Sequence, residues 1–184
     1  MVLLNSKKGG LGSPAADFSL KGVDNKIYSL SAFEEKKILV IIFMCNHCPY
    51  VKGVIGRFIE FQKMYSDKGV QVIGISPNDA AAYPEDSFDN MIKFSRERGM
   101  NFPYLYDKSQ RTAKEYDAVC TPDIYVYDES RLLKYRGRLD DNWQDEAGVK
   151  SRDLEAAVDA LLAGKDIEFE QIPSMGCSIK WKNQ

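Results

Sequence analysis

Apolar positions along the chain follow two periods, and these predict an alternation of strands and helices. Residues 36–44, "KKILVIIFM", form a continuous apolar and β-branched run, which is typical of a strand buried on both faces. From Val51 to Tyr65 apolar side chains recur every three or four residues, which predicts a helix ending at Gly69. Residues 70–76, "VQVIGIS", form a second apolar run and predict a second buried strand.

The rest of the chain predicts shorter elements of both kinds. In chain order these are two strands within 18–30 around an Asp24-Asn25 turn, a helix opened by Pro84 and closed by Gly99, an extended segment at 102–107, a short helix at 109–117 with Ser109 as N-cap, a hairpin turned at Asp128-Glu129-Ser130, and a helix from Ser151 to Gly164. The last twenty residues show no clear period. Strand–helix–strand order implies a parallel core, and the hairpin adds antiparallel strands. The predicted fold class is therefore α/β, a mixed central sheet with helices on both faces.

Composition narrows the class of protein. A chain of 184 residues with 44% hydrophobic residues predicts a single domain, 1–184, that buries its own core. The net charge is −2 and the Lys and Arg residues are dispersed, which argues against a nucleic-acid surface. The longest apolar run, 38–45, is far shorter than the roughly 20 residues of a membrane span. The N-terminus lacks the apolar core of a secretory signal, so we expect a cytoplasmic protein.

The chemistry concentrates in "FMCNHCPYVKG", which holds Cys45, Cys48 and the single histidine, His47. In a reducing compartment a close cysteine pair is more often catalytic or metal-binding than structural. The motif falls where a buried strand ends and a helix begins. We expect Cys45 on the first helical turn, where backbone N–H groups, the helix dipole and a protonated His47 would stabilise its thiolate. Cys48, deeper in the helix, would then close a disulfide with it.

Three segments resemble the thioredoxin-like superfamily, in the branch of alkyl hydroperoxide reductase/thiol-specific antioxidant proteins and thiol–disulfide oxidoreductases. They are "GSPAADFSLKGVDNKIYSLSAF", "ILVIIFMCNHC" and "VCTPDIYVYD". The resemblance covers about residues 12–163 and leaves 164–184 as a C-terminal tail. It implies a thioredoxin-like fold that opens with a β-hairpin. It also implies a cis peptide bond before Pro122 that packs against the cysteine pair.

The resemblance also implies an activity, thiol–disulfide exchange through Cys45, Cys48 and His47, with no cofactor and no metal. The Thr121-Pro122 backbone would present the partner's extended chain. The implied substrates are protein or small-molecule disulfides, with peroxides as a second class. A thioredoxin or glutathione system would supply electrons, and neither nucleic acid nor membrane would be a partner.

Two alternatives use the same cysteines. An atypical peroxiredoxin would reduce peroxides through Cys45, with Cys48 or Cys177 resolving. However, "VIIFMCNHC" lacks the Pro and Thr of the peroxiredoxin pattern P-x-x-x-T-x-x-C. A metal-binding module would use Cys45, Cys48 and Cys120, with His47 as a further ligand.

Three other side chains have two interpretations each. Cys120 is a small apolar residue or a third redox thiol. Asp79, or its neighbour Asn78, is a proton acceptor beside the cysteines, although Asp79 equally fits a helix N-cap. For Cys177 a tail thiol without a role is favoured over a resolving cysteine.

Overall fold

The computed structural model describes residues 2–182, and its core is a mixed seven-stranded sheet. Within those residues the strands are β1 (Leu3–Asn5), β2 (Ser19–Gly22), β3 (Ile27–Ser29), β4 (Ile38–Phe43), β5 (Val70–Ser76), β6 (Tyr104–Tyr106), β7 (Cys120–Thr121), β8 (Asp123–Tyr127), β9 (Leu133–Arg136) and β10 (Met175–Ser178). The α-helices are α1 (Pro49–Tyr65), α2 (Phe88–Arg98), α3 (Arg111–Glu115) and α4 (Asp153–Leu162). The order in the large sheet is β3-β2-β6-β5-β4-β8-β9.

Strand β4 lies near the centre of this sheet and carries the cysteine motif at its carboxyl end. It pairs parallel with β5 and antiparallel with β8, and every side chain in it is buried. Val40 and Ile42 pack on the face that α1, α2 and α4 cover, while Leu39 and Ile41 pack on the face that α3 covers. The predicted α/β class, with helices on both faces of a mixed sheet, is confirmed.

Helix boundaries depart from the predicted ones by a few residues. Helix α2 begins at Phe88, because Pro84–Asp86 form a separate 3-10 turn and the Ser87 side chain accepts a hydrogen bond from the Asn90 N–H. Helix α1 ends at Tyr65, and a 3-10 turn leads to Gly69, whose φ of 83° favours glycine. Among residues 2–182 no helix is long and apolar enough to cross a membrane.

The C-terminal tail contains a strand that the sequence pattern did not predict. Strand β10 is the middle strand of a small antiparallel sheet, β1-β10-β7, with Leu3 and Thr121 both in register with Cys177. A Cβ on Gly176 would lie 2.0 Å from the Thr121 carbonyl oxygen, so only glycine allows this approach. The tail therefore lies directly against the backbone of the predicted cis-proline.

Candidate active site

The loop between β4 and α1 sets the positions of the two motif cysteines. Helix α1 begins with Pro49 at its first position, and a residue before proline is disfavoured in the helical region. Cys48 accordingly has extended angles, φ −64° and ψ 122°, and is the N-cap. Cys45 lies in the loop before the helix. The prediction that Cys45 sits on the first helical turn is wrong, because Pro49 moves the helix start past it.

Three thiols meet around Thr121. The Cys48 Sγ lies 3.1 Å from the Thr121 carbonyl oxygen and 3.1 Å from the Cys177 Sγ. The Cys45 Sγ lies 3.5 Å from the Thr121 Oγ1. All three cysteines are buried, Cys45 and Cys48 at 0% exposure. The Thr121-Pro122 bond is cis, as predicted.

The edge of β7 that was predicted to receive a partner's extended chain is covered. Strand β10 of the same chain pairs with it, placing Cys177 opposite Thr121 and Ser178 opposite Cys120. Sequence periodicity could not show this, because β10 is short, contains Gly176 and gains its order from a distant strand. A partner that pairs with this edge of β7 must therefore displace β10.

The two motif thiols have opposite electrostatic environments. A hydrogen bond from the Cys45 thiol, joined by the Cys177 thiol and the Val51 backbone N–H, outweighs burial and lowers the pKa of Cys48 to about 5. The pKa of Cys45 is raised well above its usual value by this hydrogen bond to Cys48, by burial and by the charge of Asp86. These directions favour the thiolate on Cys48, whereas the prediction assigned it to Cys45.

The buried carboxylate of Asp86 holds the loop of the cysteine motif in place through hydrogen bonds. Its Oδ1 accepts the Asn46 and His47 backbone N–H groups at 2.8 and 3.3 Å. Its Oδ2 lies 2.6 Å from the His47 Nδ1 and accepts from the Asn78 side-chain amide at 2.8 Å. One carboxylate thus fixes both the backbone of the motif and the orientation of its histidine.

His47 is the positive partner of this carboxylate. Its ring stacks on Tyr83, with 5.6 Å between centroids and 8° between planes. The hydrogen bond with Asp86 raises the pKa of His47 despite partial burial, and the charge of Cys48 raises it further. Burial alone would raise the pKa of Asp86, but the hydrogen bonds from His47 and Asn78 hold it below the usual value. A charged His47 and a Cys48 thiolate therefore stabilise each other.

The acidic residue that holds the cysteine motif is Asp86, and not Asp79, which the sequence singled out. The Asp79 carboxylate accepts the Ala81 N–H at 3.1 Å and so caps a local turn. Its neighbour Asn78, named as the alternative, does reach the site through Asp86. Asp86 belongs to "SPNDAAAYPED", but its acidic side chain fitted a helix start equally well, so sequence reasoning missed it.

Cys120 fits the first of its two interpretations, a small apolar residue, whereas Cys177 departs from the interpretation that the sequence favoured. The Cys120 Sγ contacts the Pro122 carbonyl oxygen at 3.6 Å, and burial and the charge of Asp123 raise its pKa, as for an inert apolar residue. Cys177, favoured as a tail thiol without a role, contacts Cys48. Burial and this hydrogen bond raise the pKa of Cys177 to about 12.

The predicted metal set of Cys45, Cys48 and Cys120 is not the group whose ligand atoms converge. Within residues 2–182 Cys45, His47 and Asp86 have one ligand atom each within 4.8 Å of the others. Asp86 already accepts four hydrogen bonds with its two oxygens, so a cation would have to displace His47 or the loop backbone. The arrangement of Cys45, His47 and Asp86 is therefore better explained by the hydrogen bonds of the loop than by a bound metal ion.

A hollow of about 240 Å³ opens beside the cis-proline. Its walls include Pro122, Met175 and the pair Tyr50 and Trp143, whose rings lie 4.2 Å apart. The loop that carries Trp143 is held to α1 by Arg57, which forms a buried ion pair with Asp140 and donates to the Trp143 carbonyl oxygen. Residues 136–143, "RGRLDDNW", therefore border the hollow.

Comparison with known proteins places this site in a family. Residues 11–136 match the AhpC/TSA family. The chain belongs to this family. An uncharacterized conserved protein from Geobacillus kaustophilus, known from a crystal structure, is 44% identical in sequence. The match covers 100% of this chain and 98% of that protein, and the two structures superimpose with a TM-score of 0.95.

Two more distant relatives of this AhpC/TSA chain bear names that describe redox proteins. The chloroplastic peroxiredoxin Q of Triticum aestivum is 29% identical over 67% of this chain, and the match spans 57% of that relative's length. A thiol:disulfide interchange protein of the thioredoxin family from Chlorobium tepidum is 20% identical, covers 84% of this chain and 99% of its own, and has a TM-score of 0.63. This likeness shows that the fold is thioredoxin-like.

Proposed function

We propose that this protein is a thiol–disulfide oxidoreductase that works through Cys45 and Cys48. The observation that supports it best is the Cys48 thiol at the start of α1, with a pKa lowered to about 5 beside a protonated Cys45. A thiolate next to a second thiol is the minimum that disulfide exchange requires. The proposed substrates are protein or small-molecule disulfides, and a thioredoxin- or glutathione-type thiol system is the proposed electron donor.

The directions of the two pKa shifts favour Cys48 as the attacking thiol. The Cys48 thiolate attacks a disulfide R–S–S–R′, forming the Cys48–S–R bond and releasing R′–S⁻, which takes a proton. The negative charge on Cys48 is then gone, and with it the largest factor that raised the pKa of Cys45. Cys45 loses its proton and attacks the Cys48 Sγ, which forms the Cys45–Cys48 disulfide and expels R–S⁻.

His47 and Asp86 are proposed to position and tune this pair. Asp86 holds the Asn46 and His47 backbone, and the charge on His47 favours the Cys48 thiolate. A stabilised thiolate favours the reduced form and makes the couple more oxidising. Replacing His47 with Pro should therefore shift the reduction potential to a more negative value.

Trapping a mixed disulfide tests the assignment. We expect the double variant Cys45→Ser/Cys177→Ser to accumulate a mixed disulfide between Cys48 and the thiol half of hydroxyethyl disulfide, since both thiols that contact Cys48 are then replaced. Cys48→Ser should form none at low pH and lose turnover, while Cys120→Ser serves as the matched control and keeps both. A mixed disulfide at Cys45 in Cys48→Ser, formed as fast as in the other variant, would return the attacking role to Cys45.

Peroxide reduction is the second candidate, and the match to peroxiredoxin Q favours it. The threonine of the P-x-x-x-T-x-x-C pattern would fall at Ile42, a buried apolar residue of β4. The site therefore lacks a hydroxyl at the position from which peroxiredoxins polarise the peroxide bond. We expect peroxide consumption well below about 10⁴ M⁻¹s⁻¹, a low value for an enzyme acting on its own substrate. A faster rate that depends on Cys45 alone would support the peroxidase instead.

A further inference from the structure

Strand β10 brings a third thiol into contact with the redox pair, and it is held in place on both sides of that contact. Before it, the Ser174 hydroxyl donates to the Gly137 carbonyl oxygen at 2.7 Å. After it, the Lys180 N–H donates to the Asn78 side-chain oxygen at 2.9 Å, and Asn78 also holds Asp86. The register of the tail is thus tied to the carboxylate beneath the cysteine motif.

The close approach of Gly176 fixes the remaining freedom of the tail. Its Cα lies so near the Thr121-Pro122 peptide that an added Cβ would meet the Thr121 carbonyl oxygen at 2.0 Å. Pairing of Cys177 with Thr121 then sets the Cys177 Sγ 3.1 Å from the Cys48 Sγ. About 1 Å of further approach would complete a disulfide of about 2.05 Å. The contact is therefore part of the fold and depends on several independent anchors.

We propose that Cys177 is a third catalytic cysteine. It displaces Cys45 from its disulfide with Cys48 and so moves the disulfide from the motif to the C-terminal strand. This inference rests on the proposed function, since it begins from the Cys45–Cys48 disulfide. The protein would then cycle between two internal disulfides that share Cys48.

The transfer is a thiol–disulfide exchange and needs no external oxidant. With Cys48 in a disulfide, its charge no longer raises the pKa of Cys177, and the Cys177 thiolate attacks the Cys48 Sγ. In the net step one proton passes from the Cys177 sulfur to the Cys45 sulfur. The Cys48–Cys177 bond forms as the Cys45–Cys48 bond breaks. The electron pair leaves on the Cys45 sulfur, which takes up a proton, and the total number of disulfides is unchanged.

Transfer of the disulfide to Cys177 would change access to the Thr121 edge of β7. A Cys48–Cys177 disulfide links α1 covalently to β10, which covers the Thr121 edge. The oxidised protein would then hold its partner-binding edge closed until an incoming thiol reduces the bond. In the reduced protein only hydrogen bonds and packing hold β10 there, so the same edge opens more readily.

Disulfide mapping after oxidation tests the transfer. The full-length reduced protein is treated with glutathione disulfide, quenched in acid at successive times, alkylated and mapped by mass spectrometry of non-reduced peptides. We expect Cys45–Cys48 to form first and Cys48–Cys177 to appear as it declines. In Cys45→Ser, Cys48 and Cys177 should lose their alkyl label together.

Matched variants separate the inference from the proposed function. Cys177→Ser should stop at Cys45–Cys48, and Cys120→Ser, altered on the neighbouring strand, should behave as wild type. If Cys45–Cys48 forms but no peptide links Cys48 to Cys177 in wild type or in Cys45→Ser, the third-cysteine role is wrong and the oxidoreductase stands. If Cys45–Cys48 forms in no variant, the proposed function fails and the transfer step with it. Urea unfolding of each variant checks that it is folded.

Discussion

Cys48 and Cys120 are equally buried and both contact carbonyl oxygens of the Thr121-Pro122 segment, yet their pKa values shift in opposite directions. Cys48 stands at the start of a helix, where the Cys45 and Cys177 thiols and the Val51 N–H favour its charged form. Cys120 lies in a strand, where burial and the charge of Asp123 raise its pKa.

The comparison shows that burial alone does not set the pKa of a thiol. Burial raises the pKa at both sites, since a thiolate is poorly solvated away from water. The hydrogen-bond donors around the Cys48 sulfur make the difference, namely the Cys45 and Cys177 thiols and the Val51 N–H at the helix start.

The largest expected effect is a difference in reactivity between these two thiols. Near pH 6 about nine-tenths of Cys48 would be ionised if its pKa is about 5, whereas Cys120 would be almost fully protonated. With iodoacetamide in excess, Cys48 should be labelled more than about a thousandfold faster than Cys120. Peptide mapping of the labelled protein measures the ratio. Preferential labelling of Cys120 or Cys45 would show that Cys48 is not the thiol with the lowered pKa.

Removing the carboxylate under the motif should have the next largest effect. Asp86→Ala leaves the Asn46 N–H and the Asn78 amide without their acceptor and His47 without its ion pair, so the free energy of unfolding should fall by about 3–5 kcal/mol. Asp79→Ala, which removes only a turn cap, should cost about 1 kcal/mol. Urea unfolding measures both. Equal losses in the two variants would show that Asp86 is no more important than a surface cap.

Displacing the tail should change both the pKa and the accessibility of Cys48. Gly176→Ala places a Cβ against the Thr121 carbonyl oxygen, so β10 should detach from β7 at a cost of about 1–3 kcal/mol. Loss of the Cys177 donor should raise the pKa of Cys48, while its sulfur becomes more accessible. Labelling above that pKa should then be about tenfold faster if opening of the tail limits access.

The control for this variant lies on the same helix as Cys48. Gly56→Ala, on α1, adds a Cβ that meets no atom within 4 Å, so labelling should not change and the helix should gain about 0.5–1 kcal/mol. If Gly176→Ala also leaves labelling unchanged, β10 does not control access to the thiols.

The smallest effect is a dependence of stability on pH. Asp86 contributes fully above about pH 3.9, and its contribution is lost as the pH falls through its lowered folded pKa. His47 contributes fully below about pH 6.5, and its contribution is lost as the pH rises through its raised folded pKa. The excess stability of wild type over Asp86→Asn should therefore be largest between about pH 4 and 6.5. A constant difference across the pH range would exclude a charged pair.

Local sequence patterns were sufficient for the elements that carry the motif. The apolar run of β4 and the three-to-four-residue period of α1 predicted both elements and the loop between them. The position of the thiols within that loop depends on Pro49, because a residue before proline avoids helical angles. The helical period alone does not show this effect. The cis bond at Thr121-Pro122 came from the family resemblance and is confirmed.

The remaining parts of the site come from contacts that no local pattern records. Asp86 reaches His47 across 39 positions of sequence, and Cys177 reaches Cys48 across 129. An acidic residue near a proline is an ordinary helix start, and a four-residue strand with a glycine has no period to detect. Only the folded chain shows which acid and which tail residue meet the motif.

The distance in sequence between β10 and the motif also bears on the order of events during synthesis. The large sheet is complete once residues 19–136 have emerged, whereas the small sheet must wait for residues 175–178. Bringing together segments so far apart costs more chain entropy than pairing neighbours, so we expect β10 to dock late. A nascent chain would thus pass through a stage in which Cys45 and Cys48 already stand at the end of a formed sheet without their cover. The cysteine pair would then be open to external thiols before β10 covers it.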